Sequence, residues 1–233
     1  MIQKLEWDSD FFGIDVANWQ IPENAKLSSA DIEFNLKSFD LIYLISSKPL
    51  EMLNKHLVDV KTTYTQKIDT NDLNKKNTGR QFIVFDKFNH NVDDLLKIVL
   101  ESGEYSRFKR DDKFAKGKFE SMYSQWMQNG IEERENSRIY VLLSDEKDID
   151  GFIQIKVKPK KKVIIELIAV APHARGQGVA SRLLQNTIKL TQDKNLSSLE
   201  VVTQDQNIAA TNLYVKNGFR LQKKEYIYHL WKS

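Results

Sequence analysis

The sequence predicts an α/β fold, a mixed central sheet with helices on its faces, preceded by a smaller α/β part. Two observations carry this reading. Strand-like and helix-like periodicities alternate from residue 80 almost to the end of the 233-residue chain. In the middle of that run, an apolar strand over 162–170 passes through a glycine-rich loop into an amphipathic helix over 178–193. A third observation sets the division. The polar stretch 69–78 (DTNDLNKKNT) reads as a linker and separates a part spanning 1–77 from one spanning 78–233.

In the first part, 41–46 (LIYLIS) is a buried-type strand, 49–56 a short helix and 58–68 a second strand. In the second, 80–88 alternates like a strand and 92–100 is an amphipathic helix. The helix expected over 116–129 carries Phe119, Met122, Tyr123, Trp126 and Met127 at helical spacing, a stripe that suits a core-facing side. Strands follow at 138–143, 151–158 and 162–170. The last two meet at Pro159, flanked by Lys156, Lys158, Lys160, Lys161 and Lys162. Lysines at such a hairpin tip discourage edge pairing, and the alternative is a basic rim that attracts phosphates. A strand at 199–203 and a helix at 207–216, with Ile208 and Leu213 inward, precede two closing strands at 218–221 and 225–230.

Bulk composition excludes several function classes. The net charge of +3, from 35 basic and 32 acidic side chains, gives no footprint for nucleic acid. No apolar run approaches the ~20 residues of a membrane helix. Acidic residues stand where a signal peptide carries its apolar core, so a cytoplasmic location is expected. With zero Cys there is no disulfide or thiolate, and His56, His90, His173 and His229 lack metal-ligand spacing, so no metal is expected.

The chemistry is concentrated in 166–184 (ELIAVAPHARGQGVASRLL). Gly176 and Gly178 let the backbone turn sharply and bring N–H groups close to an anion. The helix from Val179 adds the positive end of its dipole, and Arg175 adds a cation. Arg175, Gly178 and Ala180 fit the pattern Q/R-x-x-G-x-G/A. This segment resembles motif A of the GCN5-related N-acetyltransferases, and 207–219 (NIAATNLYVKNGF) resembles their motif B.

The resemblance implies the N-acetyltransferase (GNAT) fold and acetyl-CoA as co-substrate. Its central sheet would splay open between the 162–170 and 199–203 strands. Arg175, Gly176, Gln177, Gly178, Val179 and Ala180 would hold the pyrophosphate, with Asn207 also contacting CoA. Backbone groups at Ile168, Ala169 and Val170 would face the oxyanion. Tyr214, seven residues after Asn207, falls where the family places its general acid. Glu166 is the candidate general base and Glu200 a weaker one. The closing strands of this fold often pair between subunits, which leaves a homodimer open.

The N-terminal segment Trp7-Asp8-Ser9-Asp10-Phe11-Phe12-Gly13, with Ser106-Arg107-Phe108 and Tyr123-Ser124-Gln125-Trp126 later, resembles the TDP-fucosamine acetyltransferases of bacterial surface-polysaccharide pathways. That similarity implies a nucleotide-linked 4-amino-4,6-dideoxy sugar as acceptor. Arg107, Phe108, Trp7 and Phe12 would then bind it, Arg107 by forking onto phosphate and the aromatics by stacking. Thr62, Thr63 and Tyr64 stand where that family offers a carboxylate near the acceptor, so the expectation is that this chain lacks it.

Overall fold

The computed structural model describes residues 2–25, 27–69, 82–159 and 162–232. The chain opens with β1 (Ile2–Lys4), α1 (Glu6–Phe12), β2 (Val16–Gln20), α2 (Ser29–Leu36), β3 (Leu41–Ser46) and β4 (Leu57–Lys67). Next come β5 (Phe82–Val84), α3 (Val92–Ser102), the short α4 (Arg107–Arg110) and α5 (Lys118–Ile131). Strands β6 (Ser137–Leu143), β7 (Ile149–Lys158) and β8 (Lys162–Val170) lead to α6 (Val179–Asp193). The chain closes with β9 (Ser198–Gln204), α7 (Ile208–Lys216) and β10 (Arg220–Trp231).

All ten described strands join one sheet in the order β1-β2-β3-β10-β4-β9-β8-β7-β6-β5. Only β2/β3 and β8/β9 are parallel neighbours. The arrangement is set by β4, which pairs with β10 on one side and β9 on the other. The sheet therefore runs across the expected division at 77/78. Most of the linker stretch, residues 70–78, lies outside the described residues, as do Lys160 and Lys161 of the lysine cluster. In that cluster Lys156 pairs with Glu135, and Lys162 with Glu200 at 2.5 Å.

Helices cover both faces. Helix α6 packs Leu183, Leu184 and Ile188 against Tyr140, Ile153, Ile155 and Ile165. Helices α3 and α5 pack Leu95, Val99, Met122 and Met127 against the other face, where Val141 and Phe152 stand by the two-residue alternation of their strands and Leu167 by a bulge in β8. Gly151 seats α6. A Cβ there would stand 2.9 Å from the Ala169 carbonyl and 3.1 Å from Val179, so any larger residue would push the helix off the sheet. Helix α3 starts where the Asn91 side chain accepts from the backbone N–H groups of Asp93 and Asp94.

Several expectations change. The aromatic N-terminal signature is itself a helix, α1, ended by Gly13 in the left-handed conformation at φ 72°. The stretch 49–56 forms a 3₁₀ turn over Glu51–His56. The two closing strands are one, β10, because a register shift between Leu221 and Lys223 absorbs the polar interruption without ending the ladder. Ile208 is 60% exposed rather than inward, since it occupies the first turn of α7 beyond the core, while Leu213 does pack on it. Among the described residues no helix is long and apolar enough to cross a membrane.

Candidate active site

The site begins where the sheet divides. Strands β8 and β9 pair only from Lys162↔Ser198 to Ile165↔Val201. At that level β8 carries a bulge: Ile165 faces Ile155 and Leu167 faces Gln154, leaving Glu166 as the extra residue. Beyond it β8 stays bound to β7, and β9 stays bound to β4 through Val202↔Thr63 and Gln204↔Lys61. The two parallel strands diverge, and backbone groups of β8 beyond the bulge have no strand on that side. Ile168, Ala169 and Val170 line the resulting cleft, which has a volume of ≈ 450 Å³.

One end of the cleft is the glycine loop. Gly176 and Gly178 adopt φ of 75° and 76°. A Cβ at Gly176 would meet nothing within 4 Å, so glycine is needed for backbone conformation and not for room. No side chain caps α6 at Gly178, which leaves its first N–H groups free at the cleft wall formed by Gly178, Val179 and Ala180. Arg175 lines the rim but already pairs with Glu101 of α3. Arg182, one turn into α6, holds its Nε and Nη2 buried without partners close to this loop. The free N–H groups at the helix start suit an anion, and the Arg182 guanidinium lies behind them. Gln177 stands outside the cleft wall, its Nε2 donating to the His173 carbonyl at 3.0 Å. The other wall comes from α7, where the Asn207 side chain caps the helix by accepting from Ala210 N–H at 3.1 Å.

This arrangement identifies the fold family. The chain carries an acetyltransferase (GNAT) family domain, whose profile matches residues 104–219. Among curated proteins it resembles the spore coat polysaccharide biosynthesis protein SpsD of Bacillus subtilis (strain 168), at 23% identity over 59% of this chain and 46% of that protein. It also resembles the dTDP-fucosamine acetyltransferase of Escherichia coli O6:H1, at 25% identity over 48% of this chain and 46% of that protein. The chain thus aligns with about half the length of these two relatives. A GNAT-family structure from Novosphingobium aromaticivorans has the same fold, with a TM-score of 0.52 at 16% identity over 83% of this chain and 75% of that one.

Tyr214 lines the GNAT cleft, 3% exposed, with Tyr64 and Phe219 rings 6.0 and 5.8 Å away. Burial pushes its hydroxyl well above the usual phenol range, so it stays a proton donor at neutral pH. Glu166 lines the cleft and a smaller cavity of ≈ 230 Å³ under α5. Its Oε2 accepts from Ser137 Oγ at 2.5 Å and Gln154 Nε2 at 3.1 Å, which fixes one oxygen and leaves the other free. Glu200 is occupied by Lys162.

The expected acceptor residues gather on the face bearing α1, α4 and α5. Phe12 stacks on Phe108 at 5.8 Å, and the Arg107 guanidinium lies 4.4 Å from the Phe108 ring. Trp7 stacks on Phe11 at 5.0 Å and is 46% exposed, at the edge of the group. Arg107 stands at the start of the short helix α4. None of these four lines the cleft itself. The link is Tyr123, which does, and whose burial-raised hydroxyl is drawn back by Ser106 and Arg107.

Thr62, Thr63 and Tyr64 are buried strand residues, as expected of a segment without a carboxylate. The same strand nonetheless supplies one three residues earlier. Asp59 is 8% exposed, and burial pushes its carboxyl up to about 6 against the pull of Arg107, Lys61 and Arg110. Alternation in β4 signalled a strand, but nothing in 58–68 marked this Asp as buried. Arg182 was equally silent, one basic residue among the polar positions of an amphipathic helix.

Proposed function

We propose that this protein is an acetyl-CoA-dependent N-acetyltransferase acting on the amine of a nucleotide-linked 4-amino-4,6-dideoxy sugar for surface-polysaccharide synthesis. The observation that carries the reading is the split between β8 and β9, with an anion cradle at one end and a buried phenol on its wall. The kinship with a polysaccharide biosynthesis protein and a dTDP-fucosamine acetyltransferase supports the sugar class.

The residues fit acetyl-CoA. The N–H groups of the glycine loop and Arg182 suit a pyrophosphate, and the unpaired edge of β8 suits the extended pantetheine amides as a β-strand would. When bound, acetyl-CoA supplies an activated acyl group as a thioester. An ammonium has no lone pair, so the acceptor amine must lose a proton before it attacks. Glu166, held by Ser137 and Gln154, takes that proton directly or through water. As the N–C bond forms, the N–H groups of β8 around Ile168–Val170 face the developing oxyanion. The C–S bond then breaks, and Tyr214 donates its proton to the departing sulfur. As the adduct collapses its nitrogen sheds a second proton, which restores the phenol through solvent, while the first leaves Glu166 for bulk water, so that the ammonium and the thioester become amide, CoA thiol and one released proton.

The test is thiol release from acetyl-CoA against a panel of TDP- and UDP-linked amino sugars, with amino acids and peptides alongside. Turnover confined to a TDP-linked 4-amino sugar is the expected result. Turnover only with other amines overturns the sugar assignment and keeps the donor chemistry. Tight acetyl-CoA binding without release to any acceptor overturns the enzymatic reading.

A further inference from the structure

Beyond the cleft, three buried polar atoms on the α1/α4/α5 face have no hydrogen-bond partner: Tyr43 Oη, Arg107 Nε and His229 Nε2. They are neighbours. The Tyr43 and His229 rings lie 4.9 Å apart, and the Arg107 guanidinium lies 4.9 Å from the Tyr43 ring. Buried polar groups in folded proteins are almost always paired, so three together mark the place of an absent polar partner.

The protonation pattern says what that partner is. His229 Nδ1 lies 2.5 Å from Asp111 Oδ2, which also accepts the Trp231 indole N–H at 2.9 Å. Burial pushes the imidazole down to about 4, with Asp111 pulling back and Arg107 adding to the depression. The ring is therefore neutral at pH 7, its single proton on Nδ1 donating to Asp111, and Nε2 is a bare acceptor. Arg107 Nε–H only donates, and the Tyr43 hydroxyl does both. A carboxylate or phosphate fits poorly here, because Asp8, Asp59 and Asp111 already surround Arg107 and Tyr43. A neutral hydroxyl, which donates once and accepts twice, fits. Phe108 and Phe114 wall the group, a surface suited to the C–H face of a sugar ring. Asp8 and Arg107, both half-buried, connect it to solvent.

We propose that Tyr43, Arg107 and His229 recognise a pair of ring hydroxyls on the acceptor, with Asp111 as the positioning residue that fixes the His229 tautomer. This rests on the amino-sugar reading above and names how that sugar is selected.

The experiment compares kcat/KM for the amino sugar with that for its ring-deoxy analogues, in the wild type, Tyr43→Phe and Asp111→Asn. Tyr43→Phe removes one hydroxyl, which faces the Asp8 carboxylate, and keeps the ring that packs on His229 and under Arg107. The expected result is a wild-type preference for the hydroxylated sugar that drops about tenfold in each variant, with acetyl-CoA affinity unchanged. An unchanged preference in both variants, with the sugar still acetylated, overturns the inference and leaves the proposed function standing. If no amino sugar is acetylated, the proposed function fails, and ¹⁵N NMR of His229 titrated with the amino sugar decides separately. A shift of the Nε2 signal supports the hydroxyl site, and none overturns it.

Discussion

The cleft and the proposed acceptor face beside it are built in different ways. The proposed donor side comes from two nearly continuous stretches, 166–182 and 207–214, and its working groups are largely backbone N–H atoms placed by the bulge at Glu166 and the left-handed Gly176 and Gly178. The proposed acceptor side is assembled from side chains on α1, β3, β4, β10 and the segment around α4, with His229 meeting Asp111 across 118 positions. A site made of backbone needs particular residues at fixed local spacing. A site made of side chains needs only that distant strands fall into register.

The largest expected effect lies in the cleft itself. Tyr214→Phe should lower kcat by about 10²- to 10⁴-fold while leaving acetyl-CoA affinity within about twofold, read by thiol release and calorimetry. Equal losses in both would make Tyr214 a packing residue and dissolve the boundary between the sides.

Asp59 separates function from stability on the acceptor side. Its folded pKa, raised to about 6 from 3.8, means that the native state holds its proton more tightly than the unfolded chain. Its contribution is therefore most favourable below pH 4 and is lost as pH rises to about 6. His229, depressed to about 4 from 6.5, acts oppositely, its contribution present above 6.5 and lost as pH falls to about 4. Asp59→Asn should raise unfolding stability at pH 7 by up to about 3 kcal/mol, steepen the loss of stability on acidification, and weaken acceptor turnover. Denaturant melts between pH 4 and pH 8 check the sign, and no gain at pH 7 would refute the account.

On the donor side Arg182→Gln should raise KM for acetyl-CoA about tenfold without destabilising the fold, because the buried guanidinium atoms it removes have no partner. Smaller still, Gly176→Ala should cost about 1–2 kcal/mol in the melt through its positive φ alone, since its Cβ meets no atom. If Arg182→Gln instead affects only the acceptor's KM, the assignment of sides is reversed.

This contrast explains what was legible in the sequence. The strand–loop–helix around Gly176 and the α7 segment were readable because 3.6- and 2-residue periods and glycines encode local geometry. Trp7, Phe12, Arg107 and Phe108 came from a family likeness, not from spacing; Phe12, Arg107 and Phe108 lie together, and Trp7 stacks on Phe11 beside them. Tyr43, Asp59, Asp111 and His229 were invisible. Tyr43 and Asp59 lie on strands whose apolar or alternating pattern spoke only of burial, and His229 was a lone histidine in the last one. The irregularity at Leu221–Lys223 read as a gap between two strands because a bulge and a strand end share the same polar break.

The position of β4 has a consequence for how the molecule comes into being. Strand β10 must slot between β3 and β4, both made before it, while β9 must close against β4 from the other side. The middle of the sheet is thus finished by a twelve-residue strand that follows β3, β4 and β9 in the chain. Until then β3 and β4 stand with bare edges, an invitation to pair with a neighbouring nascent chain. Contacts of such long sequence separation are slow to form. Chaperone dependence and exchange of β10 between copies at high expression follow from that order of assembly.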